Sequence, residues 1–384
     1  MHTHLVIAII KLTLVSPQEK QKMKNLGVLI LISLTTYFCQ AQQYTLSSYL
    51  DKDLVLDKKV DSVFNSLDQK AIVAQLLMPA VGRLGRTEDT LKAYIEDGCI
   101  GGVLLLNGSK TQFTNWVSTF NEMTSERNQL PFLYSADAEP SLVNRKITGT
   151  TIVPRANTIK SIEETKKVAE TISNDLNDIG INYNFSPVVD MSANKTVGYR
   201  GFGTKPENII PFSNAFIAQS QKQNIISTAK HFPGHGLVTG DTHKSLQVIN
   251  GEMKELKNYP PLIEKGVLSI MVAHIAVTNN SEYGTNGMPA TTSETIITKL
   301  LRDSLGFEGL IVTDAMNMGG VSKIPNASSK AIAAGCDIVL MPKNVRVAHK
   351  EISELYTKDV EFSKKVNMAA KRIIRMKICL GLIL

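Results

Sequence analysis

Apolar runs rich in β-branched residues recur along the chain, and each ends near Gly, Asp or Pro. Amphipathic stretches of helical period lie between them, most clearly at 161–176 and 207–221, where charged positions oppose apolar ones. The pattern therefore predicts alternating strands and helices. The eight predicted strands cover residues 72–81, 102–106, 132–136, 183–189, 226–231, 268–274, 310–313 and 337–341.

These strands are apolar almost throughout, which indicates burial on both faces, as in parallel sheets. Eight strand–helix units favour an α/β fold of the (β/α)8 TIM-type barrel, formed as a single domain. An open doubly wound sheet is the alternative. We assign residues 1–41 to an N-terminal extension and signal peptide, 42–66 to a lead-in segment, and 67–384 to the barrel, which closes with a helix at 369–375.

Polar side chains stand at or just after the ends of the predicted strands. They are Asp137 and Glu139, Asp190, the segment 230–243, His274, and Asp314. A barrel gathers the carboxyl ends of its strands on one face, so these five segments are predicted to converge on one pocket. For Glu139 and Asp190 a purely structural role, such as a helix cap, stays open.

The segment 230–243 concentrates three imidazoles, one carboxylate and one ammonium in a stretch whose Pro and Gly residues exclude a helix. His231 and His235 have the spacing of a helical zinc site, but without the helix or a following Glu we predict no metal. Asp241 and His243 fit a working pair, in which the carboxylate orients the imidazole for acid/base chemistry.

Composition excludes several classes of protein. With 384 residues, 43% of them hydrophobic and 20% charged, the chain is typical of globular proteins rather than disordered ones. Part of the net charge of +7 comes from lysines within residues 1–41, and the remainder does not indicate a nucleic-acid partner. Cys99, Cys336 and Cys379 lie in apolar surroundings and are predicted to be core residues, with no disulfide framework.

The N-terminus carries the marks of export. Met23-Lys24 is followed by an apolar stretch at 26–38 and then Cys39-Gln40-Ala41, the regions of a secretory signal peptide. We expect translation to start at Met23 and the mature protein to be periplasmic or secreted. Lipidation of Cys39 is an open alternative. No later stretch is apolar for long enough to predict a transmembrane segment in the mature chain.

The strand predicted at 310–313 ends on a lone carboxylate, Asp314, which backbone N–H groups can keep ionised and ready to attack an electrophilic carbon. Together, Lys-His-Phe-Pro-Gly-His-Gly at 230–236, Asp-Thr-His at 241–243 and Thr-Asp-Ala-Met-Asn-Met at 313–318 resemble glycoside hydrolase family 3. The resemblance is to its bacterial β-N-acetylglucosaminidases in particular, and it runs from about Leu67 to Leu384.

The resemblance implies a retaining glycosidase of the catalytic-barrel type. Asp314 would be the nucleophile that forms a covalent glycosyl-enzyme, and His243, held by Asp241, the general acid/base. The substrate-binding residues that it implies are Asp137, Arg200, Lys230, His231 and His274. We expect a carbohydrate partner bearing terminal β-linked N-acetylglucosamine (GlcNAc), from peptidoglycan or chitin-type fragments, no cofactor, and a monomer.

One departure from the family pattern follows the third strand. Pro140, Ser141 and Leu142 stand where the family commonly has two glycines and an arginine, so the loop is predicted to be stiffer, and Arg145 is expected to supply the charge. Three other readings stay open: a β-glucosidase or β-xylosidase of the same family, a phosphorylase, and a catalytically inactive sugar-binding relative.

Overall fold

The structure, a computed structural model, describes residues 44–191, 194 and 197–384. The segment Tyr44–Leu384 forms one compact unit. The predicted signal peptide, the start at Met23 and the lipidation of Cys39 lie outside the described residues.

Thirteen short strands lie in the described part of the chain, and all of them pair in parallel. They are β1 (Leu77–Met78), β2 (Ala80–Val81), β3 (Gly102–Leu105), β4 (Gly108–Ser109), β5 (Leu133–Ala136), β6 (Ile147–Thr148), β7 (Tyr183–Asn184), β8 (Ile226–Phe232), β9 (Gln247–Asn250), β10 (Ser269–Val272), β11 (Ile275–Thr278), β12 (Leu310–Thr313) and β13 (Val339–Leu340).

The main sheet has seven strands in the order β12-β10-β8-β7-β5-β3-β2, while β1 pairs separately with β13. An isolated bridge between Val312 and Ile338, together with backbone hydrogen bonds such as that from the Thr313 amide to the Ile338 carbonyl, links β12 to the β13 segment. The α/β class and the parallel sheet are confirmed, and the sheet is consistent with a TIM-like fold, but its ladders do not form the predicted closed eight-stranded barrel. Pro79 separates β1 from β2 and has no N–H to donate, so the ladder breaks there.

The helices cover the outside of the sheet. They are α1 (Leu54–Asn65), α2 (Gln69–Ala74), α3 (Glu88–Glu96), α4 (Lys110–Glu126), α5 (Val143–Lys146), α6 (Ile162–Ile179), α7 (Pro206–Lys222), α8 (Pro260–Glu264), α9 (Ala327–Ala334), α10 (Val345–Lys358) and α11 (Val360–Cys379), with a π-helix at Thr295–Ser304 and short 3₁₀ turns at Leu46–Leu50, Ala156–Thr158, Leu256–Asn258 and Ala290–Thr292. The helices predicted around 161–176, 207–221 and 369–375 are confirmed as α6, α7 and part of α11.

Local sequence signals explain most helix boundaries. The Ser161 side chain accepts a hydrogen bond from the Glu164 amide at the start of α6, and Gly180 ends that helix in the left-handed conformation. At α2 the Asp68 carboxylate caps the Ala71 amide, so the apolar residues 72–74 are helical. The prediction of a strand beginning at residue 72 is therefore wrong, because a short buried apolar run has no periodicity that separates the two structures.

The core between the sheet and the helices is a cluster of buried apolar side chains. The cysteine prediction is confirmed, since Cys99, Cys336 and Cys379 are free and buried within it. Within residues 44–191, 194 and 197–384, no helix combines the length and the apolar character needed to cross a membrane.

Lys377, on α11, is an ionisable residue buried beside this apolar core. Its side chain is fully buried, and Nζ donates hydrogen bonds to Oε1 of Gln75 at 2.7 Å and to the Gly101 carbonyl at 3.0 Å. Neither partner carries a charge, so burial lowers the pKa of Lys377 from 10.5 to about 7.

This burial predicts a pH-dependent stability difference for Lys377→Met. Between pH 7 and 10.5 unfolding takes up a proton at Lys377, so the free energy of unfolding of the wild type rises with pH relative to the variant. The rise is expected to approach about 1.4 kcal/mol per pH unit at most. Urea unfolding of both proteins at pH 7 and 9 measures it, and parallel pH profiles would contradict the assignment.

Candidate active site

A cavity of about 550 Å³ opens at the carboxyl ends of the central strands. It brings together side chains that follow β5, end β8 and follow β12, as a parallel sheet requires. The ionisable residues that line it are Arg83, Asp137, Arg145, Lys146, Tyr199, Arg200, Lys230, His231, His243 and Asp314. Eight of the nine predicted residues thus either line this cavity or, for Asp241, bind a side chain that does.

Asp314 stands directly after β12 with one oxygen engaged. Oδ1 accepts a hydrogen bond from the Ala315 amide at 2.8 Å, and Oδ2 accepts none from any residue that the structure describes. Burial alone would raise the pKa of Asp314, but the nearby imidazoles of His231 and His274, with the Ala315 amide, outweigh it and hold the pKa below its ordinary value. The carboxylate is therefore ionised and has an oxygen free to react.

His231 is fixed by a buried carboxylate. Its Nδ1 lies 2.8 Å from Oδ2 of Asp190, whose Oδ1 accepts the amides of His231 and His235. Burial would raise the pKa of Asp190, but His231 and these hydrogen bonds lower it. Asp190 therefore orients the imidazole and does not line the cavity itself.

His243 and Asp241 form a close pair on the loop after β8. Oδ1 of Asp241 lies 2.7 Å from Nδ1 of His243 and also accepts the His243 amide at 3.0 Å. The carboxylate selects the tautomer with hydrogen on Nδ1, which leaves Nε2 to exchange protons. The His243 side chain is 62% exposed, and Nε2 contacts no described hydrogen-bond partner, so it can meet both substrate and water.

Hydrogen bonds to buried groups hold the base of this loop. Nε2 of His235 lies 2.9 Å from Oγ1 of Thr242, the residue between the pair, and both side chains are buried. The amides of Gly319 and Gly320 donate to the carbonyls of His243 and Thr242. The loop that carries His243 is therefore tied both to the segment after β8 and to the segment after β12.

The segment after β8 also depends on its glycines and on Glu255. Gly234 has a φ of +142°, which other residues rarely adopt, and a Cβ on Gly236 would overlap the Met191 carbonyl. The buried carboxylate of Glu255 accepts the amides of Met191, Gly236 and Leu237. These contacts fix the turn from β8 into the loop.

A chain of ion pairs contributes charged side chains to the same cavity. Asp137 accepts Lys230 Nζ at 2.9 Å on one oxygen and Lys146 Nζ at 2.7 Å on the other. Lys230 also pairs with buried Glu139 at 2.6 Å, and Arg200 binds Glu139 through two N–H groups. Burial would raise both carboxyl pKa values, but the cations lower them, that of Glu139 to about 2.

Arg145 and His274 occupy contrasting positions. The exposed Arg145 guanidinium lines the cavity and an adjoining one of about 460 Å³, without a hydrogen bond to any described residue. His274 is fully buried, with Nδ1 at 2.9 Å from Thr291 Oγ1 and Nε2 at 2.9 Å from the Ala315 carbonyl. It is absent from the cavity lining, so we assign it to positioning residues 314–315 rather than to the predicted sugar contact.

The sequence patterns do not predict the contacts of Lys146, His235 and Glu255. Lys146 had a usable signal, because it lies four residues after Leu142, one turn along a short helix. The contacts of His235 and Glu255 join segments distant in sequence, which spacing alone does not reveal. In the described residues no three His, Cys, Asp or Glu side chains converge as metal ligands would.

Comparison with known proteins identifies the family. The glycosyl hydrolase family 3 N-terminal domain matches residues 66–376, so the chain belongs to glycosyl hydrolase family 3. The family named from the sequence motifs is therefore confirmed.

Three relatives illustrate the similarity. The chain is 30% identical to a β-hexosaminidase A from Pseudoalteromonas piscicida, over 64% of this chain and 46% of that protein. It is 28% identical to a β-N-acetylglucosaminidase/β-glucosidase from Cellulomonas fimi, over 74% and 53%. A family 3 β-N-acetylglucosaminidase from Paenibacillus superposes with a TM-score of 0.75 at 26% identity, over 83% and 63%. The chain spans about half the length of these two curated relatives.

Proposed function

We propose that the protein is a retaining exo-β-N-acetylglucosaminidase that hydrolyses terminal β-linked GlcNAc. The observation that carries the proposal is the shared cavity of Asp314 and His243: an ionised carboxylate with a free oxygen, and an imidazole oriented by Asp241 at 2.7 Å. A retaining glycosidase needs these two groups, a nucleophile and a proton donor that later acts as a base.

In the first step an oxygen of Asp314 attacks the anomeric carbon, and the glycosidic C–O bond breaks. The departing oxygen takes the bond's electron pair and the proton from Nε2 of His243. In the second step water gives a proton to Nε2 while its oxygen attacks the anomeric carbon, and the Asp314 carboxylate leaves. Two inversions give net retention.

An imidazole suits the double role because its ordinary pKa lies near neutrality. A carboxylic acid would need burial to stay protonated at that pH, and this position is exposed. Asp241 stabilises the protonated imidazole of the first step. The cavity also contains charged groups that are placed to bind sugar hydroxyls, among them Asp137, Arg200 and Lys230.

The natural substrate that we propose is a GlcNAc-terminated fragment of peptidoglycan or of chitin. Export through the signal peptide at 23–41 would bring the protein to the periplasm or the outside, where such fragments occur. Sequencing the N-terminus of the secreted protein tests this part separately, and a peptide from residues 1–22 would contradict the start at Met23.

A second candidate is a β-glucosidase, because the Cellulomonas fimi relative carries both activity names. The protein lacking residues 1–41 should be assayed on the p-nitrophenyl β-glycosides of GlcNAc, glucose and xylose. Strong turnover of the GlcNAc substrate alone is expected. Preference for glucose or xylose would contradict the sugar assignment, and no turnover of any would favour a sugar-binding protein.

The same assay with and without inorganic phosphate separates hydrolysis from phosphorolysis. We expect free GlcNAc as the product in both conditions. A sugar phosphate formed in phosphate buffer would mean that phosphate rather than water resolves the glycosyl-enzyme.

Thr242→Val tests whether the His235 contact positions the acid/base loop. Valine keeps the shape of the side chain but loses the hydroxyl, which leaves Nε2 of buried His235 without its partner. Losing this contact, worth about 1–3 kcal/mol, is expected to lower kcat by about 5- to 150-fold, with a smaller effect on KM. Thr242→Ser keeps the hydroxyl and should retain most of the activity, and equal losses in both variants would contradict this role.

A further inference from the structure

Lys146 lines the cavity one helical turn after the position at which the family motif commonly has an arginine. The motif commonly has an arginine where this chain has Leu142, which directly precedes the one-turn helix α5. Lys146 is the last residue of that helix, so it follows Leu142 by one turn and shares its side of the helix. Both side chains line the cavity.

The ammonium of Lys146 is directed to the cavity by Asp137. Nζ donates to Oδ2 of Asp137 at 2.7 Å, and the two side chains are 17% and 19% exposed. In contrast Lys230, on the other oxygen of Asp137, is 1% exposed and is shared with Glu139. Of the two lysines that Asp137 binds, Lys146 is thus the one that is open to a ligand alongside it.

Hydrogen-bonding capacity remains at this pair. Lys146 has three N–H donors and uses one on Asp137, with no other acceptor among the described residues. Each Asp137 oxygen holds one lysine contact and can accept a further hydrogen bond. An acceptor and a donor side by side match two neighbouring sugar hydroxyls, one donating to the carboxylate and one accepting from the ammonium.

We propose that Lys146 is a substrate-binding residue which, together with Asp137, holds two adjacent hydroxyl groups of the terminal sugar. This inference rests on the proposed function, because it concerns the sugar that the enzyme cleaves. It also explains how the chain accommodates Leu142: the positive charge absent there is supplied by Lys146, one helical turn later, rather than by Arg145 as the sequence predicts. A lysine supplies a compact point charge, whereas an arginine would offer a planar fork.

The test pairs Lys146→Met with substrates that each lack one hydroxyl. Wild type and variant are assayed on p-nitrophenyl β-GlcNAc and on its 3-deoxy, 4-deoxy and 6-deoxy forms. With the complete substrate, loss of a charged hydrogen bond should lower kcat/KM about 10- to 100-fold, mainly through KM. For the analogue that lacks the hydroxyl bound by Lys146, the two proteins should be nearly equal.

A loss by the same factor on all four substrates would overturn the proposal, since it would mean that Lys146 only supports Asp137 or the fold. Lys146→Arg keeps the charge and should recover part of the lost kcat/KM on the complete substrate. Lys166→Met, on the exposed side of α6, is the matched control and should behave as wild type. Thermal unfolding of each variant checks that it is folded.

Failure of the proposed function is distinguishable from failure of this inference. If the wild type cleaves none of the substrates, the hexosaminidase assignment fails. Calorimetric titration with GlcNAc and its deoxy forms then compares sugar binding by the wild type and by Lys146→Met. Weaker binding of GlcNAc by Lys146→Met, with no difference for one deoxy sugar, would support the inference. Equal binding of every sugar by both proteins would overturn it.

Discussion

Replacement of Asp314 by asparagine is expected to lower kcat by about 10⁴-fold or more, because the variant has no carboxylate to form the glycosyl-enzyme. Asparagine has nearly the same shape and can still accept the Ala315 amide, so the fold and the cavity should be unchanged. Initial rates on p-nitrophenyl β-GlcNAc measure the effect, with thermal unfolding as a check on folding.

Asp314→Asn is also expected to bind the sugar, although it does not turn the substrate over. The substitution leaves the proposed sugar-binding residues, such as Asp137, Arg200 and Lys230, unchanged. The affinity for GlcNAc should therefore stay within a few-fold of wild type. A variant that keeps more than a few per cent of the wild-type kcat would contradict the role of Asp314 as nucleophile.

Replacement of His243 by alanine is expected to lower kcat/KM by about 10²- to 10⁴-fold for substrates with poor leaving groups. The loss should shrink for a 2,4-dinitrophenyl glycoside, whose leaving group needs no proton. In that case release of the sugar from Asp314 becomes slow, because the base that activates water is also missing. Added azide, an anion that needs no base, should then speed turnover and give a glycosyl azide.

Asp241→Asn is the matched variant for His243→Ala. It keeps the imidazole but replaces the carboxylate that orients Nδ1 at 2.7 Å and stabilises the protonated ring. We expect a smaller loss than for His243→Ala and no azide rescue. Equal losses on good and poor leaving groups in His243→Ala would contradict proton transfer by this residue.

The sequence predicted the convergence of the site well because parallel strands share one carboxyl edge. Residues 137, 230, 231 and 314 follow or end buried strands, and the structure brings all of them to one cavity. Such placement follows from topology alone. The pair of Asp241 and His243 was also predictable, since its two members lie two residues apart.

Other features were not predicted correctly from the hydrophobic pattern. Residues 72–74 form a helix because Asp68 caps it, although the same apolar run fits a strand. His274 lies two residues beyond the end of β10 at Val272, not at the predicted strand end, and its ring contacts Thr291 and the Ala315 carbonyl rather than lining the cavity. The closure of the sheet was overpredicted, because Pro79 and the short β13 interrupt the ladder.

Trapping the covalent intermediate is the most direct measurement of the central claim. The protein would be incubated with a 5-fluoro derivative of GlcNAc activated by a fluoride leaving group, digested, and analysed by tandem mass spectrometry. If Asp314 is the nucleophile, one sugar per protein is expected, attached to Asp314. Attachment to another residue, or rapid turnover of this substrate with the α-anomer of the sugar as the first product, would contradict it.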